Sequence, residues 1–171
     1  MSIYITNSEK KEYTSMIEKA LKSELNIDSE CTIDNNKDAV SFIIVALPKP
    51  KNTNSYTIIS KFYLTNVPNC CGAIISHGVY VSYGMQNKGI GKVIHKCRLE
   101  IMRRLEFSCA ICMDVKNNKP QEKILEKFGW KNLHTFRNKN SGNKVNIYAV
   151  DLKKVYKKKA ASEQTVTSDE E

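Results

Sequence analysis

The clearest pattern of apolar and polar residues in this chain is a helical repeat that begins at Ile90. Its apolar residues recur every three or four positions, which places them on one face of an α-helix. They are Ile90, Val93, Ile94, Cys97, Ile101 and Leu105, with Lys92, Lys96, Arg103 and Arg104 largely off that face. The apolar run Val79-Tyr80-Val81 comes shortly before this helix and predicts a strand that leads into it.

The other apolar runs mix strand and helix signals, which predicts an α/β chain. A first helix of about 16 residues is predicted after the candidate N-caps Asn7 and Ser8. The segment from Asn26 to Asp38 is polar and rich in turn residues, and it receives no assignment. The predicted strands are Ile3 to Ile5, Val40 to Leu47 (ended by Pro48-Lys49-Pro50), Tyr56 to Leu64, Ala73 to Val81 and Cys109 to Val115; Pro120 to Phe128 is a further helix, and Lys131 to Arg137 pairs with Val145 to Leu152 as a hairpin.

A glycine-containing loop connects the strand that ends at Val81 with the helix that begins at Ile90. It reads Gln86-Asn87-Lys88-Gly89-Ile90-Gly91, and its glycines lack a Cβ, so a charged oxygen can approach their backbone N–H groups. Those groups lie at the helix N-terminus, where the macrodipole favours an anion. The loop lacks the Gly-Lys-Ser/Thr ending of a Walker loop and the glycine spacing of the dinucleotide fingerprint. It predicts a pyrophosphate site, and the alternative is an ordinary strand-to-helix turn.

This loop, placed after Val79-Tyr80-Val81, resembles a known signature. Gln86-x-x-Gly89-x-Gly91 is similar to the Gln/Arg-x-x-Gly-x-Gly/Ala motif of the GNAT acetyltransferase superfamily, whose phosphate loop holds the pyrophosphate of acetyl-CoA. The order of the predicted elements also matches the GNAT arrangement over residues 1 to 152.

A second segment carries the same resemblance. Asn118 to Trp130 reads Asn-Lys-Pro-Gln-Glu-Lys-Ile-Leu-Glu-Lys-Phe-Gly-Trp, which resembles the GNAT segment Asn-x-x-Ala-x-x-Leu-Tyr-x-Lys-x-Gly-Phe. Many relatives carry there a tyrosine that protonates the leaving thiolate, and this chain has Leu125 at that position. Any general acid must therefore come from elsewhere or be absent.

The resemblance implies an α/β GNAT fold, with a central mixed, mostly antiparallel sheet that is splayed between its fourth and fifth strands and flanked by helices. It also implies an acetyl-CoA-dependent N-acetyltransferase that holds the pantetheine arm of acetyl-CoA in that gap. The residues implied in binding acetyl-CoA are Val79, Tyr80 and Val81 on the strand, Gln86, Asn87, Lys88, Gly89, Ile90, Gly91, Lys92 and Val93 at the loop, and Asn118 in the second segment.

Transfer to an amine requires a base that removes a proton and a donor for the oxyanion. His77 is the candidate base, since its ordinary pKa suits proton transfer, although a hydrogen-bonded strand histidine is the more common interpretation. Tyr80 and Tyr148 are candidate acids, with core packing as the alternative for each, and Asp114 is a base or a turn former. His95 and His134 are interpreted as surface residues.

Length and composition place limits on the architecture. The 171 residues, of which 41% are hydrophobic, predict one domain over residues 1 to 152 and a charged, disordered tail over residues 153 to 171. No apolar run approaches a membrane span, and the start of the chain lacks a signal-peptide pattern, so a cytoplasmic protein is expected. The six cysteines are interpreted as reduced thiols rather than metal ligands, because Cys109 and Cys112 would point to opposite faces of a strand.

Charge is concentrated in one part of the chain. Residues 86 to 144 carry 14 Lys and Arg against 5 Asp and Glu, whereas the flanking segments are balanced. The anionic CoA accounts for part of this excess. The rest of the excess keeps an enzyme that modifies a nucleic acid or nucleotide as an alternative that is not favoured. A CoA-binding module without catalysis is a second alternative, which Leu125 at the tyrosine position permits. The favoured acceptor is an amine of a small molecule or a protein, in a monomer or homodimer.

Overall fold

A computed structural model describes residues 3–47 and 57–153 of the chain. Within these ranges the structure contains three α-helices and seven β-strands. In chain order they are α1 (Asn7–Leu25), β1 (Ser29–Asn35), β2 (Val40–Ala46), β3 (Thr57–Asn66), β4 (Ala73–Val81), α2 (Ile90–Arg104), β5 (Cys109–Val115), α3 (Lys119–Lys127), β6 (Lys131–Arg137) and β7 (Lys144–Asp151). A single 3-10 turn, Tyr83–Met85, lies between β4 and α2.

The strands form one sheet in the order β1-β2-β3-β4-β5-β7-β6. Neighbouring strands are antiparallel except β4 and β5, which run parallel because the α2 crossover returns the chain to the same end of the sheet. The predicted mixed, mostly antiparallel sheet flanked by helices is confirmed.

The sheet opens between β4 and β5. Only Ala73, Ile74 and Ile75 of β4 pair with β5, against Cys109, Ala110 and Ile111. Beyond that point β4 continues to Val81 on its β3 side, while β5 continues to Val115 on its β7 side. The gap between β4 and β5 beyond Ile75 and Ile111 is the predicted splay, which is confirmed.

One face of the sheet carries the core, and the helices pack on this face. Alternate residues of the strands are buried there, for example Ile74 and Ser76 of β4, and the inward residues of the helices complete a single apolar cluster. In α2 the predicted apolar face is buried, with Leu105 only partly so, and Lys92, Lys96, Arg103 and Arg104 are exposed.

The N-terminal part of the chain differs from the sequence prediction. Residues Ile3 to Ile5 do not form a strand; instead, Ile5 makes two hydrogen bonds with the side-chain amide of Asn35, its N–H at 3.1 Å and its C=O at 2.8 Å. The side-chain amide of Asn35 thus takes the backbone hydrogen bonds that a neighbouring strand would otherwise make with Ile5. The first strand is β1, within the segment that had no assignment, so the number of strands preceding α2 is unchanged.

The first helix begins one residue earlier than its predicted caps. Its N-cap is Thr6, whose hydroxyl accepts from the backbone N–H of Glu9 while the Glu9 carboxylate accepts from the backbone N–H of Thr6. This capping box satisfies two donors of the helix end. None of the helices among the described residues is long and apolar enough to cross a membrane. The predicted strand stop at Pro48-Lys49-Pro50, the predicted first residue of β3, Tyr56, and residues 154–171 of the predicted tail lie outside the described residues.

Candidate functional site

A β-bulge interrupts β4 where the sheet opens. Tyr63 of β3 is opposite His77, and Lys61 is opposite Tyr80, so three steps along β4 match two steps along β3. The extra residue is accommodated at Gly78, whose φ is +61°. A Cβ at this position would lie 2.5 Å from Cδ2 of Tyr63, so the close approach of the two strands requires glycine.

The bulge places two predicted site residues on the same face. In a regular strand, His77 and Tyr80 would point to opposite faces, because they are three residues apart. Here Tyr63 and Lys61, two residues apart on β3, hold both on the face opposite the core. The His77 ring stacks on Tyr63 with centroids 5.5 Å apart, and the half-exposed Tyr80 ring has the Lys61 ammonium 5.8 Å from its centre.

Electrostatics favour the neutral form of His77. Its pKa is lowered, first by partial burial and second by the positive charge of Arg98. A neutral imidazole can accept a proton at neutral pH, which is the chemistry expected of a base that deprotonates an amine.

The predicted phosphate loop forms the N-terminus of α2. Gly89 is the N-cap with φ +82°, and Asn87 also has a left-handed φ of +62°. The end has no side-chain cap, and within the described structure the backbone N–H groups of residues 88–91 have no protein acceptor. Four donors at the positive end of a helix dipole form a ready site for an anion.

Neighbouring elements fix this loop against the sheet and α3. The Gln86 side chain donates to the Val81 carbonyl at 3.1 Å, which ties the loop to the end of β4. A Cβ on Gly91 would lie 3.4 Å from Cδ1 of Ile124 in α3 and 4.0 Å from Cγ2 of Val81. Gly91 therefore lies at the junction of α2, α3 and β4, beside the open end of the gap.

The side chains around the loop divide into two groups. Ile90 and Val93 are buried in the core, so only their backbone is available to a ligand. Asn87, Lys88 and Lys92 are exposed and can reach one, and the two ammonium groups add positive charge to the helix N-terminus. On β4, Val79 and Val81 pack partly against the core.

Asn118 lies at the other side of the gap, immediately before α3. Its side chain does not cap the helix; its Nδ2 donates to Oδ1 of Asp114 at 2.9 Å. Oδ2 of Asp114 is buried and has no partner among the described residues, and burial raises the pKa of this carboxyl group. Asp114 is thus held by Asn118 and is not a simple turn former.

Tyr148 lies apart from His77 and Tyr80. It pairs with Cys112 on the core face of β7, only 5% exposed, and its hydroxyl accepts from Nδ2 of Asn146 at 3.2 Å. Burial is the main cause of its raised pKa. Leu125 is fully buried in the apolar cluster and supplies no polar group.

Two buried polar residues of α2 were not recognised from the sequence. His95, expected at the surface, is 1% exposed; its Nε2 accepts from Nε1 of Trp130 at 2.9 Å, and burial lowers its pKa to about 2. Arg98 is also 1% exposed and was not identified as a candidate. Its position beside Cys97 and Ile101 on the apolar face of the helical repeat was the available signal. His134 is exposed, as predicted.

The described residues contain no group of three or more His, Cys, Asp or Glu side chains that could hold a metal ion. All six cysteines are free thiols.

Comparisons with known proteins agree on the fold. No protein-family model matches the sequence, and no curated protein is significantly similar to it. Among solved structures, the spermidine/spermine N-acetyltransferase SpeG from Vibrio cholerae, in complex with manganese ions, is similar with a TM-score of 0.58 at 11% identity, over 72% of this chain and 71% of SpeG.

Two other structures are similar to this chain. The IAA acetyltransferase from Bacillus cereus has a TM-score of 0.56 at 12% identity, over 67% of this chain and 79% of its own. The ribosomal-protein-S18-alanine N-acetyltransferase from Escherichia coli has a TM-score of 0.54 at 10% identity, over 89% of this chain and 93% of its own. The chain therefore has the GNAT fold that its two motifs predict.

Proposed function

We propose that this protein is an acetyl-CoA-dependent N-acetyltransferase that transfers the acyl group to an amine of a small molecule or a protein. One observation carries the proposal: the gap between β4 and β5 opens beside an uncapped helix N-terminus whose N–H groups have no acceptor within the described structure. A ligand with a pyrophosphate at one end and a narrow, amide-bearing arm fits both features at once.

Three groups of residues contact acetyl-CoA in this proposal: the loop before α2, the edge of β4 and Asn118. The loop from Gln86 to Gly91 and the start of α2 hold the pyrophosphate through backbone N–H groups, with Lys88 and Lys92 adding charge. The edge of β4 from Val79 to Val81 pairs with the amides of the pantetheine arm. Asn118, held by Asp114, borders the opposite side of the gap.

Acetyl-CoA supplies the thioester as the acyl donor. On the protein side, His77 accepts the proton of the attacking amine, directly or through water, since its imidazole is neutral and lies on the same face as Tyr80 beside the bulge. This face is the one open to an acceptor, because the helices cover the other. Tyr80 orients the acceptor there, whereas Tyr148 acts from the core side, as a proton donor toward the sulfur.

Binding is tested by thermal and chemical denaturation with acetyl-CoA. At about 100 times its dissociation constant, acetyl-CoA should raise the free energy of unfolding by roughly 2.7 kcal/mol. Gly91→Glu should abolish this shift, because it places a carboxylate at the pyrophosphate position. Gly84→Glu is the charge-matched control: Gly84 has open space around it and should retain the shift. If acetyl-CoA stabilised Gly91→Glu and Gly84→Glu equally, the loop at Gly91 would not be the pyrophosphate site.

Catalysis is tested by CoA release across polyamines, aminoglycosides, peptides and nucleic acids. His77→Gln should lower kcat, and wild-type kcat should fall at low pH as His77 becomes protonated, a dependence that the variant should lack. Absence of CoA release with every amine, combined with a normal thermal shift, would favour the binding module. Tight nucleic-acid binding that survives physiological salt would favour a nucleic-acid substrate.

The ion pairs on the outer face of α2 are the reason to keep nucleic acid as the less favoured acceptor. Arg103 and Arg104 both pair with Glu100, and Arg104 also contacts Glu12. Lys96 pairs with Glu24 at 2.7 Å. Three basic residues of this helix face are thus paired with carboxylates, which leaves less charge there for a polyanion.

A further inference from the structure

Arg98 of α2 is a fully buried cation without an anionic partner among the described residues. Its side chain is 1% exposed and lies in the apolar cluster between α2 and the sheet. Removing a guanidinium from water costs several kcal/mol unless the charge is matched, so buried arginines are normally paired with carboxylates. This one is not.

The contacts of Arg98 leave one end of its guanidinium free. Nε and Nη2 both donate to the hydroxyl oxygen of Ser76, the first at 3.0 Å. The guanidinium carbon lies 5.5 Å from the centre of the Phe62 ring. Nη1 is buried and has no hydrogen-bond partner within the described part of the chain. Two N–H donors of a cation therefore await an acceptor.

These contacts locate the guanidinium at the closed end of the gap. Ser76 directly follows Ile75, the last residue of β4 that pairs with β5. Phe62 is on β3 between the residues that flank the bulge. Cys112, whose thiol interacts electrostatically with Arg98, directly follows Ile111, the last residue of β5 that pairs with β4. The cation thus lies on the core side of the point where β4 and β5 separate.

The groups around Arg98 do not neutralise it. Burial raises the pKa of the Cys112 thiol to about 12 and lowers the pKa of His95 to about 2, so both are uncharged at neutral pH. The pKa of His77 is lowered as well. Burial reduces the pKa of Arg98 itself to about 10, which still leaves it protonated at pH 7. The closed end of the gap therefore carries an unmatched positive charge.

We infer that Arg98 is a catalytic residue whose guanidinium binds the sulfur of CoA as the thiolate. The inference rests on the proposed function, which places the pyrophosphate at the start of α2 and the pantetheine arm along Val79 to Val81. An arm that continues along β4 from there toward Ile75 brings its thioester to the closed end of the gap. The acceptor nitrogen bonds to the thioester carbon, the carbon–sulfur bond breaks, and its electron pair stays on sulfur. The proton of the amine goes to His77 or water. The sulfur first leaves as a thiolate anion held by Arg98, and Tyr148 donates a proton to it in a later step. Arg98 thus stabilises the negative charge at the stage where relatives use the tyrosine that Leu125 replaces here.

The test compares two ligands that differ only at the sulfur. Binding of CoA and of desulfo-CoA, which lacks the sulfur atom, is measured by calorimetry on the whole protein at pH 6 and pH 8.5. If Arg98 favours the thiolate, the affinity for CoA relative to desulfo-CoA should rise about tenfold or more between these pH values, since each unit by which the pKa of the bound thiol falls is a tenfold preference. The ultraviolet absorbance of the CoA thiolate should rise over the same pH range.

Variants separate the charge from packing. Arg98→Met removes the charge from a side chain of similar length and should abolish the pH-dependent preference, while both ligands still bind at pH 6. Arg98→Lys retains a cation and should keep part of the preference. Lys92→Met, at the pyrophosphate end, is the matched control and should weaken both ligands equally at both pH values.

Each outcome is decisive. If wild-type protein binds neither ligand, the proposed CoA site itself fails. If it binds CoA and desulfo-CoA equally at both pH values, the CoA site stands and the role of Arg98 is overturned. The wild-type comparison alone separates these two outcomes, so it holds even where an Arg98 variant does not fold.

Discussion

Replacement of Gly78 by alanine should disrupt the bulge that organises the site. The new Cβ would force a left-handed backbone on a non-glycine residue, which costs about 1–2 kcal/mol. It would also lie 2.5 Å from Cδ2 of Tyr63, an overpacked contact worth about 1–3 kcal/mol. The Tyr63 ring would have to move away from the new Cβ, and this ring stacks on His77. The sum is a loss of about 2–5 kcal/mol, or roughly 4–20 °C in Tm for a chain of this size.

Urea titration of five variants, among them Tyr63→Ala alone and combined with Gly78→Ala, tests both parts of this sum. Gly142→Ala is the matched control for the backbone, because Gly142 has a φ of +71° with open space around it, and Gly84→Ala is the control without positive φ. Gly78→Ala should cost more than Gly142→Ala, and Gly142→Ala more than Gly84→Ala. In a Tyr63→Ala background, Gly78→Ala should cost about 1–3 kcal/mol less than it does in the wild type.

A cost of Gly78→Ala no larger than that of Gly142→Ala would refute this reasoning, because the contact with Tyr63 would then not exist. Failure of Tyr63→Ala to recover stability would lead to the same conclusion. Loss of the acetyl-CoA shift in Gly78→Ala, at temperatures where the variant is folded, would further connect the bulge to the gap.

Three other predictions concern stability and use urea titration. The pKa of His95 is about 2 in the folded protein and near 6.5 in the unfolded protein, so only the unfolded state binds a proton at this residue between these values. The contribution of neutral His95 to stability is therefore complete above pH 6.5 and is lost as the pH falls below it. Between pH 7 and pH 5, the wild type should lose about 2 kcal/mol more unfolding free energy than His95→Gln. Equal losses would mean that His95 is not buried. Thr6→Ala should cost about 1 kcal/mol by removing the capping box with Glu9, and no loss would show that the helix end is capped otherwise. Ser76→Ala should cost about 1.5–3 kcal/mol, because it removes the only acceptor that the described structure gives Arg98; a loss below about 0.5 kcal/mol would indicate another acceptor.

The sequence predicted most elements because their signals are local. The spacing of Ile90, Val93 and Ile94 fixed the helix face, and Cys109 to Val115 was predicted with the same bounds that β5 has. The strand predicted at Ile3 to Ile5 was wrong, since an apolar tripeptide forms a strand only if a neighbouring edge is available, and there the Asn35 side chain takes the backbone bonds. β1 was missed because its polar, exposed residues lack a long apolar run.

The sequence by itself determined the loop at Gly89 and Gly91, the helix that follows it and the fold that these imply, since glycine conformation and helical periodicity are properties of neighbouring residues. Only the tertiary structure decided which side chains meet. The bulge at Gly78 brings His77 and Tyr80 to one face although a regular strand would separate them, and the packing of α2 on β4 places Arg98 at the closed end of the gap. These contacts join residues far apart in the chain, and strand register and burial, which set them, arise only when the whole sheet has formed.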